Sequence, residues 1–186
     1  MADADRDRWN AAWREAPARG VSAFLEENAA LLPSRGRVLD LAGGPGHDAL
    51  WLAAKGLDVT LADVSDVALA RARAEADARG LPLTTALRDV ERLGPPPGPW
   101  DVVVCFFYLQ RDLFPRWPSL LAQGGLLLFA QPTRTNLERH PKPGSRFLLE
   151  PGELATLVPA ELEVLSLTEG WTPRDVHEAR LVARRR

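Results

Sequence analysis

The 186-residue chain is long enough to bury one sizeable core and too short for two domains of ordinary size. Its net charge of −2 argues against a nucleic-acid binder that relies on phosphate contacts, because such proteins carry a basic excess. The single cysteine, Cys105, excludes an internal disulfide and a multi-cysteine zinc site, and it fits a reducing cytoplasm. We therefore expect a cytoplasmic protein without a metal site, and the absence of an apolar stretch of about 18 residues predicts no membrane span.

Two periodicities alternate along the chain. Met1–Glu15 is charged and lacks an apolar core, so we expect no secretory signal there. Apolar residues at helical spacing predict a helix over Val21–Leu32, and the apolar run Arg37–Ala42 predicts a buried strand that stops at glycines. The remaining predicted elements are, in chain order, helix His47–Lys55, strand Leu57–Asp63, helix Ser65–Arg79, strands Leu83–Arg88 and Trp100–Phe107, helix Asp112–Ala122, strand Gly125–Gln131, helix Glu153–Leu157, and strands Leu162–Thr168 and Ala179–Ala183.

This order of elements predicts one α/β domain over residues 1–186. Strands that alternate with helices form a Rossmann-like, doubly wound sheet that is mostly parallel. The last two predicted strands are joined by a short connection, which favours antiparallel pairing. We therefore expect a parallel sheet with an antiparallel strand at its C-terminal part.

The most informative segment is Val38–Ala49, VLDLAGGPGHDA, in which a predicted strand runs through glycines into a predicted helix. Glycine has no Cβ, so its backbone can approach a ligand closely. In an open α/β sheet, ligands bind beyond the carboxyl ends of the strands, where these glycines lie. Gly44–Ala49 also matches GxGxxA, the dinucleotide fingerprint, so the glycines alone leave an NAD(P) site open.

Three acids at the ends of successive predicted strands narrow this choice. Asp40 precedes the glycines, where it would repel a pyrophosphate but attract an ammonium group. Asp63 ends the next strand, where a carboxylate can accept hydrogen bonds from two ribose hydroxyls. NAD sites use an acid in the same way, so Asp63 does not distinguish between the alternatives. Asp89 follows the third strand and can accept a hydrogen bond from an adenine amino group. Taken alone, Asp40 and Asp63 could be helix caps or turn residues; the series of three acids is the specific signal.

These segments resemble the motifs of class I S-adenosylmethionine-dependent methyltransferases. VLDLAGGPG is similar to the first motif, LADVS to the ribose motif, LRDVE to the adenine motif, and WDVVVCFFYL and LAQGGLLLF to the later ones. Within the class, the segments FYLQRDLF, FLLEPGEL and the ending EGW…VHEARLVARR look most like the small bacterial tellurite-resistance type. The chain departs from the usual first motif at Ala42, which stands where the first glycine is expected.

The resemblance implies a set of S-adenosylmethionine-binding residues at four strand ends. Asp40 and the following loop would hold the methionine part, Asp63 the ribose, Asp89 the adenine, and the end of the fourth strand would lie near the sulfonium. His47, at the start of the following helix, would line this site or cap the helix. The full implied set is Asp40, Ala42, Gly43, Gly44, Gly46, His47, Asp63, Val64, Asp89, Val90, Cys105 and Phe106. Taken alone, Cys105 reads as a small buried hydrophobic residue rather than a nucleophile.

The resemblance also implies catalytic candidates. His177 lies in the turn where tellurite-type relatives place an active-site histidine, and it is the candidate for catalysis or substrate binding. Glu178 stands where those relatives often have arginine, which weakens an anion-binding role. Tyr108 is a second catalytic candidate, with Phe106 and Phe107 as aromatic neighbours that could face a cationic methyl donor. A surface histidine and a purely structural aromatic cluster are the alternatives.

Two segments are candidates for covering the site. Residues 1–20 contain Trp9 and Trp13, one helical turn apart, which predict either an N-terminal flap or a helix face packed on the body. Residues 132–150 follow the fifth strand and include the basic stretch Thr133–Arg146. A basic lid would favour an anionic substrate, whereas the plainer interpretation is a solvated loop.

We therefore expect a methyltransferase that acts on a small molecule, such as a thiol or a chalcogen oxyanion, with no nucleic-acid or membrane partner. Two alternatives stay open: an NAD(P)-dependent oxidoreductase, and a non-catalytic cofactor-binding protein on the same fold. The sequence indicates neither the acceptor nor the oligomeric state.

Overall fold

The computed structural model describes residues 2–17 and 19–186, with the side chains of residues 2 and 3 left aside. The helices are α1 Ala2–Glu15, α2 Ala23–Glu27, α3 His47–Ala54, α4 Asp66–Arg79, α5 Val90–Leu93, α6 Trp117–Leu120 and α7 Glu153–Leu157. The strands are β1 Arg37–Leu41, β2 Asp58–Asp63, β3 Thr84–Leu87, β4 Trp100–Phe106, β5 Leu121–Pro132, β6 Leu162–Trp171 and β7 His177–Arg185.

The seven strands form one sheet in the order β3-β2-β1-β4-β5-β7-β6. β1 pairs in parallel with β2 and with β4, and these pair in parallel with β3 and β5. β7 runs antiparallel to both of its neighbours, β5 and β6. The predicted Rossmann-like fold, mostly parallel with an antiparallel strand near the C-terminal end, is confirmed.

The sheet reverses its strand order at β1, and this geometry positions the site. β1 lies between β2 and β4, with Asp40 paired to Leu61 on one side and to Val104 on the other. The carboxyl ends of these parallel strands therefore meet at one edge. A crevice at the reversal point is where doubly wound sheets bind ligands.

Both faces of the sheet are covered. On one face, Leu52 of α3 and Ala72 of α4 pack with Val59 and Val104 of the sheet. On the other face, Phe114 and Trp117 pack edge to face and join a cluster that includes Leu154 of α7. Burying side chains of this size contributes about 1.5–3 kcal/mol each, so the two layers hold the carboxyl edge rigidly.

Two predicted helices are shorter than expected. The helix predicted over Val21–Leu32 is α2 followed by a 3-10 turn, because the side-chain amide of Asn28 donates to the carbonyl of Phe24 and ends the helix. The helix predicted over Asp112–Ala122 is a 3-10 segment around Pro115, which has no N–H to donate, followed by the single turn α6.

The last strands are longer than the sequence indicates. β5 begins at Leu121, ahead of a register irregularity opposite Trp100 and Val102. β6 and β7 extend to a terminal pair, Trp171 and His177. The extension carries His177 to the carboxyl edge of the sheet, beside the end of β5.

The N-terminal helix α1 lies against α4 at the same edge. The side-chain amide of Asn10 donates to the carboxylate of Asp66 at 2.7 Å, and its oxygen accepts from the hydroxyl of Ser65 at 2.6 Å. Arg71 of α4 donates to the backbone carbonyl of Trp13. Met1 and Ala18 of the predicted flap lie outside the described residues. Within the described ranges, no helix combines the length and apolar character needed to cross a membrane.

Candidate functional site

The loop from Ala42 to Gly46 connects β1 to α3 in a tight conformation. Ala42 has φ 56°, Gly44 has φ 56° and Gly46 has φ 75°, all in the left-handed region. A Cβ on Gly46 would lie 2.9 Å from Cδ2 of Leu61 and 3.0 Å from Cβ of Ala72. The loop is therefore pressed onto β2 and α4, and only glycine fits at this point.

Asp40 lies directly beneath this loop. Its side chain is 2% exposed, and a Cβ on Gly43 would be 2.3 Å from its Oδ2 atom. The backbone N–H of Ala49 donates to the carboxylate, but Oδ2 has no hydrogen-bond partner within the described part of the chain. A buried carboxylate oxygen without a donor is costly, which indicates a place where a ligand donor or cation binds.

Asp63 is held by the same loop. One carboxylate oxygen accepts from the backbone N–H of Gly44 at 2.9 Å, and the other accepts from that of Ser65 at 2.8 Å. Each carboxylate oxygen has two lone pairs, so capacity remains for ribose hydroxyls. Asp89 also keeps acceptor capacity for a ligand. Its Oδ1 atom caps α5 by accepting from the backbone N–H of Arg92, while its buried Oδ2 atom has no hydrogen-bond partner among the described residues.

Negative charge is concentrated at this edge. Burial raises the pKa of Asp40 well above its usual range, and the charges of Asp48 and Asp63 raise it further. Burial likewise raises the pKa of Asp48 and of Asp63, against the lowering effect of backbone hydrogen bonds to each. Three crowded carboxylates in a poorly solvated site favour a cationic ligand, because a cation restores the charge balance that burial removes.

Asp48 is a further candidate site residue, which the sequence analysis did not include. It lies in the first turn of α3, and its carboxylate accepts from the backbone N–H of Ser22 at 2.7 Å. One signal was available: Asp48 is four residues before Leu52, a fully buried residue on the inner face of the same helix.

Four of the other predicted cofactor residues lie at the same carboxyl edge as the acids, and the fifth, His47, lies elsewhere. Val90 and Phe106 are buried, Val64 is half-buried and Cys105 is fully buried. Burial and the charge of Asp40 raise the pKa of the Cys105 thiol, which makes a nucleophilic role unfavourable. His47 differs, since it lines a cleft between α3 and α4 on the outer side of the loop. The binding roles of these residues stay predictions.

His177 is placed at the end of β7 with a defined orientation. Its Nδ1 atom lies 2.7 Å from the hydroxyl of Thr133 at the end of β5, and its ring meets Trp171 edge to face with centroids 5.2 Å apart. The bond to Thr133 permits the tautomer in which Nδ1–H donates and Nε2 keeps its lone pair. This arrangement is suited to accepting a proton at Nε2.

Tyr108 and the residues around it complete the edge. Its hydroxyl donates to the side-chain oxygen of Gln110 at 2.9 Å, and burial raises the pKa of Tyr108. Phe107 has φ 58° and is 54% exposed, whereas Phe106 packs against Phe24 in the core. The structure therefore separates the three aromatic residues into one core, one exposed and one half-buried position.

The two predicted covering segments meet at Phe147. The guanidinium of Arg8, from α1, lies 5.2 Å from the Phe147 ring centroid and 5.3 Å from that of Trp9. The carbonyl of Phe147 accepts from the side-chain amide of Gln131. Trp13 packs on the glycine loop, since a Cβ on Gly44 would be 2.7 Å from its ring. Contacts from both segments therefore lie at the carboxyl edge, and their action as flap and lid stays a prediction.

Most of the basic residues in the loop after β5 have acidic partners. Arg134 pairs with Glu150 at 2.8 Å, and Arg139 pairs with Asp175 at 2.5 Å. His140 donates from Nε2 to the carbonyl oxygen of Asp175 at 2.6 Å. The contacts to Asp175 fasten the loop to the β6–β7 turn, and the pair with Glu150 fastens it to the segment before α7. Together they reduce the positive charge that a purely basic lid would present.

Comparison with protein families supports the class that the sequence predicts. Residues 38–125, from the start of β1 to the start of β5, match the family model described as a methyltransferase domain. These residues are similar to a methyltransferase domain. The sequence-based prediction of a methyltransferase is confirmed, and the matched range includes Asp40, the glycine loop, Asp63 and Asp89. No curated protein sequence matches the chain.

Solved structures agree on the fold of the methyltransferase domain. A structure described as the conversion of a disulfide bond into a thioacetal group during echinomycin biosynthesis has a TM-score of 0.77 and 21% identity, covering 97% of this chain and 93% of the other. TehB from Haemophilus influenzae has a TM-score of 0.69 and 22% identity, covering 97% and 67%. Magnesium protoporphyrin IX methyltransferase (ChlM) from Synechocystis PCC 6803, solved with bound SAH, has a TM-score of 0.74 and 18% identity, covering 100% and 99%.

Among the described residues, no group of three or more histidine, cysteine, aspartate or glutamate side chains is placed to hold a metal ion. The residues of the site do fit a nucleoside sulfonium. The partnerless oxygens of Asp40 and Asp89, the glycine cradle and the buried acids provide acceptors, space and negative charge together.

Proposed function

We propose that this methyltransferase transfers a methyl group from S-adenosylmethionine to a small-molecule acceptor. The observation that carries the proposal is the concentration of carboxylates at the point where the strand order reverses. Asp40 and Asp63 are buried against the glycine loop, and the half-buried Asp48 follows the loop in the first turn of α3. S-adenosylmethionine supplies a methyl group that is already activated on a positively charged sulfur.

Each group of residues has a distinct task in this proposal. Asp40 attracts the ammonium of the methionine part, while Asp63, oriented by Gly44 and Ser65, accepts from the ribose hydroxyls. Asp89 accepts from the adenine through its free Oδ2 atom. Because the reaction is a direct displacement, the protein's main contribution is to align acceptor, methyl group and sulfur while excluding water.

The same carboxylates disfavour the dinucleotide alternative. A pyrophosphate bound at the loop would lie beside Asp40, which has no salt-bridge partner among the described residues. Like charges in a poorly solvated site repel strongly, so NAD(P) binding is opposed.

For the acceptor, we propose a soft nucleophile such as a thiol or a chalcogen oxyanion, with His177 at the acceptor side. Sulfur chemistry on this fold is found in the echinomycin structure, which concerns a disulfide. Thr133 holds the His177 ring so that Nε2 can accept the proton of an acceptor that arrives protonated. An acceptor that is already ionised needs no such step.

The cofactor proposal is tested by calorimetric titration with S-adenosylhomocysteine and, in parallel, with NADH. We expect the wild type to bind the homocysteine compound and not NADH, and Asp63→Asn to lose at least about tenfold in affinity, as expected for a charge-assisted contact. Asp58→Asn is the matched control, because Asp58 is an exposed acid at the other end of the same strand. Binding of NADH, or equal losses in both variants, would refute the proposal.

The acceptor proposal is tested with thiols of graded pKa, with selenite or tellurite, and with a phenol. We expect His177→Gln to reduce turnover most for acceptors that are protonated at the assay pH, and least for pre-ionised thiols. Thr133→Val should reproduce part of that loss, because the ring is then free to rotate. A uniform loss across all acceptors would contradict a proton-accepting role, and absence of transfer to any of them would favour the non-catalytic alternative.

A further inference from the structure

A cavity lies on the outer side of the glycine loop. It has a volume of about 350 Å³ and lies between α3 and α4, and residues 19–21 form part of its lining. Arg71, Glu75 and Arg79 line one wall; they are four residues apart on α4 and therefore share one helix face. We call this cavity the α3–α4 cleft.

The cleft carries an excess of positive charge in a chain whose net charge is −2. Arg19, Arg71 and Arg79 face a single acidic lining residue, Glu75. None of these three arginines forms a salt bridge with any described side chain, that is, with those of residues 4–17 and 19–186. Elsewhere on the protein, arginines such as Arg111 and Arg134 do have carboxylate partners.

His47 adds a neutral donor to this wall. Its Nε2 atom accepts the backbone N–H of Arg19 at 3.4 Å, so the proton of the neutral ring lies on Nδ1. Burial lowers the pKa of His47, and the charges of Arg71 and Arg19 lower it further. Trp51 and Leu50 supply apolar surface beside these polar groups.

We infer that the α3–α4 cleft binds a small anion through its three guanidinium groups, as a second ligand site of the protein. The ligand chemistry is a phosphate or carboxylate group, which the planar guanidinium donors of arginine match, with Trp51 available for an apolar portion. The proposed cofactor site has the opposite charge, since its acids are Asp40, Asp48 and Asp63, none of which lines the cleft.

The position of the cleft links it to the glycine loop. Two lining residues of the cleft adjoin the loop: Pro45 is part of the β1–α3 connection, and His47 is the first residue of α3. Arg71 also donates to the carbonyl of Trp13, whose ring packs on Gly44. An anion that engages Arg71 therefore acts on the residue that holds the end of α1 against the loop.

The test is a proton NMR titration of the three histidines at constant ionic strength, with inorganic phosphate and with benzoate as separate probes. Only the His47 resonances should move at low millimolar probe, and the pKa of His47 should rise because the bound anion favours the imidazolium. A spectrum of His47→Gln assigns the signal. Binding of phosphate alone indicates a phosphorylated ligand, and binding of benzoate alone indicates an organic carboxylate.

Variants decide whether the cleft is responsible. Arg79→Gln should weaken anion binding about tenfold, as expected for one charge-assisted contact. Arg73→Gln is the matched control, because Arg73 is on the same helix but bonds to Thr85 of β3, outside the cleft. Equal effects in both variants, or no shift of His47 with either probe, would overturn the inference.

A final titration is run at saturating S-adenosylhomocysteine. We expect the anion to bind beside it with its affinity changed by less than about tenfold. Complete displacement would overturn a separate site, because the guanidinium groups would then belong to the binding of the cofactor carboxylate. Failure of S-adenosylhomocysteine itself to bind would refute the proposed function and leave the anion site intact.

Discussion

The contact between Gly43 and Asp40 allows a direct test of how the loop positions the buried acid. In Gly43→Ala, the new Cβ would lie 2.3 Å from Oδ2, 2.4 Å from Cγ and 2.5 Å from Oδ1 of Asp40. Comfortable contacts are about 3.5 Å, so the carboxylate has to retreat by about 1 Å within a fully packed site. Overpacking of this kind costs about 1–3 kcal/mol.

The assay is urea unfolding together with titration of S-adenosylhomocysteine. We expect Gly43→Ala to lower the urea midpoint without changing the slope, by an amount equal to about 1–3 kcal/mol. Affinity for S-adenosylhomocysteine should fall about tenfold or more, because the displaced carboxylate loses a charge-assisted contact. Gly170→Ala is the control, since nothing lies within 4 Å of a Cβ there and its backbone is not left-handed.

A double-mutant cycle identifies the cause. If the carboxylate is the obstacle, Gly43→Ala should cost less than about 1 kcal/mol in an Asp40→Ala background, because the obstructing atoms are absent. An equal cost in both backgrounds would refute the steric reasoning. A Gly43→Ala protein as stable as Gly170→Ala would refute it as well.

Three further predictions concern strain, charge and reactivity. Ala42→Gly should raise the free energy of unfolding, measured in urea, by about 0.5 kcal/mol, because the backbone of Ala42 is in the left-handed region. The control Ala74→Gly, in the middle of α4, should lower the free energy of unfolding by about 1 kcal/mol. A lower free energy of unfolding in both variants would contradict backbone strain at Ala42. The pKa of Asp40 is higher in the folded protein than in the unfolded chain, where it is about 3.9. Below the unfolded pKa, the carboxyl is protonated in both states and costs no folding free energy. As the pH rises towards and through the folded pKa, the unfolded chain ionises more readily, and the free energy of unfolding falls. The stability gain of Asp40→Asn over the wild type should therefore grow as the pH rises above about 4, and a constant difference would exclude this cause. Cys105 is fully buried with a raised pKa, so a thiol reagent should react at the rate of unfolding; prompt reaction in native buffer would show that the thiol is accessible.

Much of the fold follows from local patterns in the sequence. Ser65 and Gly80 bound α4 as expected, since Ser65 accepts from the N–H of Ala68 and Gly80 adopts φ 63°. The acids Asp40 and Asp63 lie together because parallel strands end at one edge of the sheet. The predicted end of the helix over Val21–Leu32 is wrong, because the side chain of Asn28 donates to the carbonyl of Phe24 and ends the helix early.

Features that depend on distant residues were not predictable in this way. The pairing of Thr133 with His177 follows from the register of β5 and β7, which no short pattern encodes. The outward position of His47 and the inward position of Asp48 depend on the rotation of α3 about its own axis. Adjacent residues of a helix differ by about 100° in direction, so a small rotation decides which of them reaches the ligand.

The position of β7 has a consequence for how the chain folds. β7 follows β6 in the sequence, yet it lies between β5 and β6 in the sheet. The chain is synthesised from its N-terminus, so β5 and β6 are both made before β7. Until β7 is complete, one edge of β5 stays unpaired and β6 has no hydrogen-bonded neighbour. Unpaired edges of this kind template aggregation, and late pairing slows folding. We expect chains that stop before His177 to be held by chaperones or lost, whereas deletions within the first fifteen residues leave the sheet able to form.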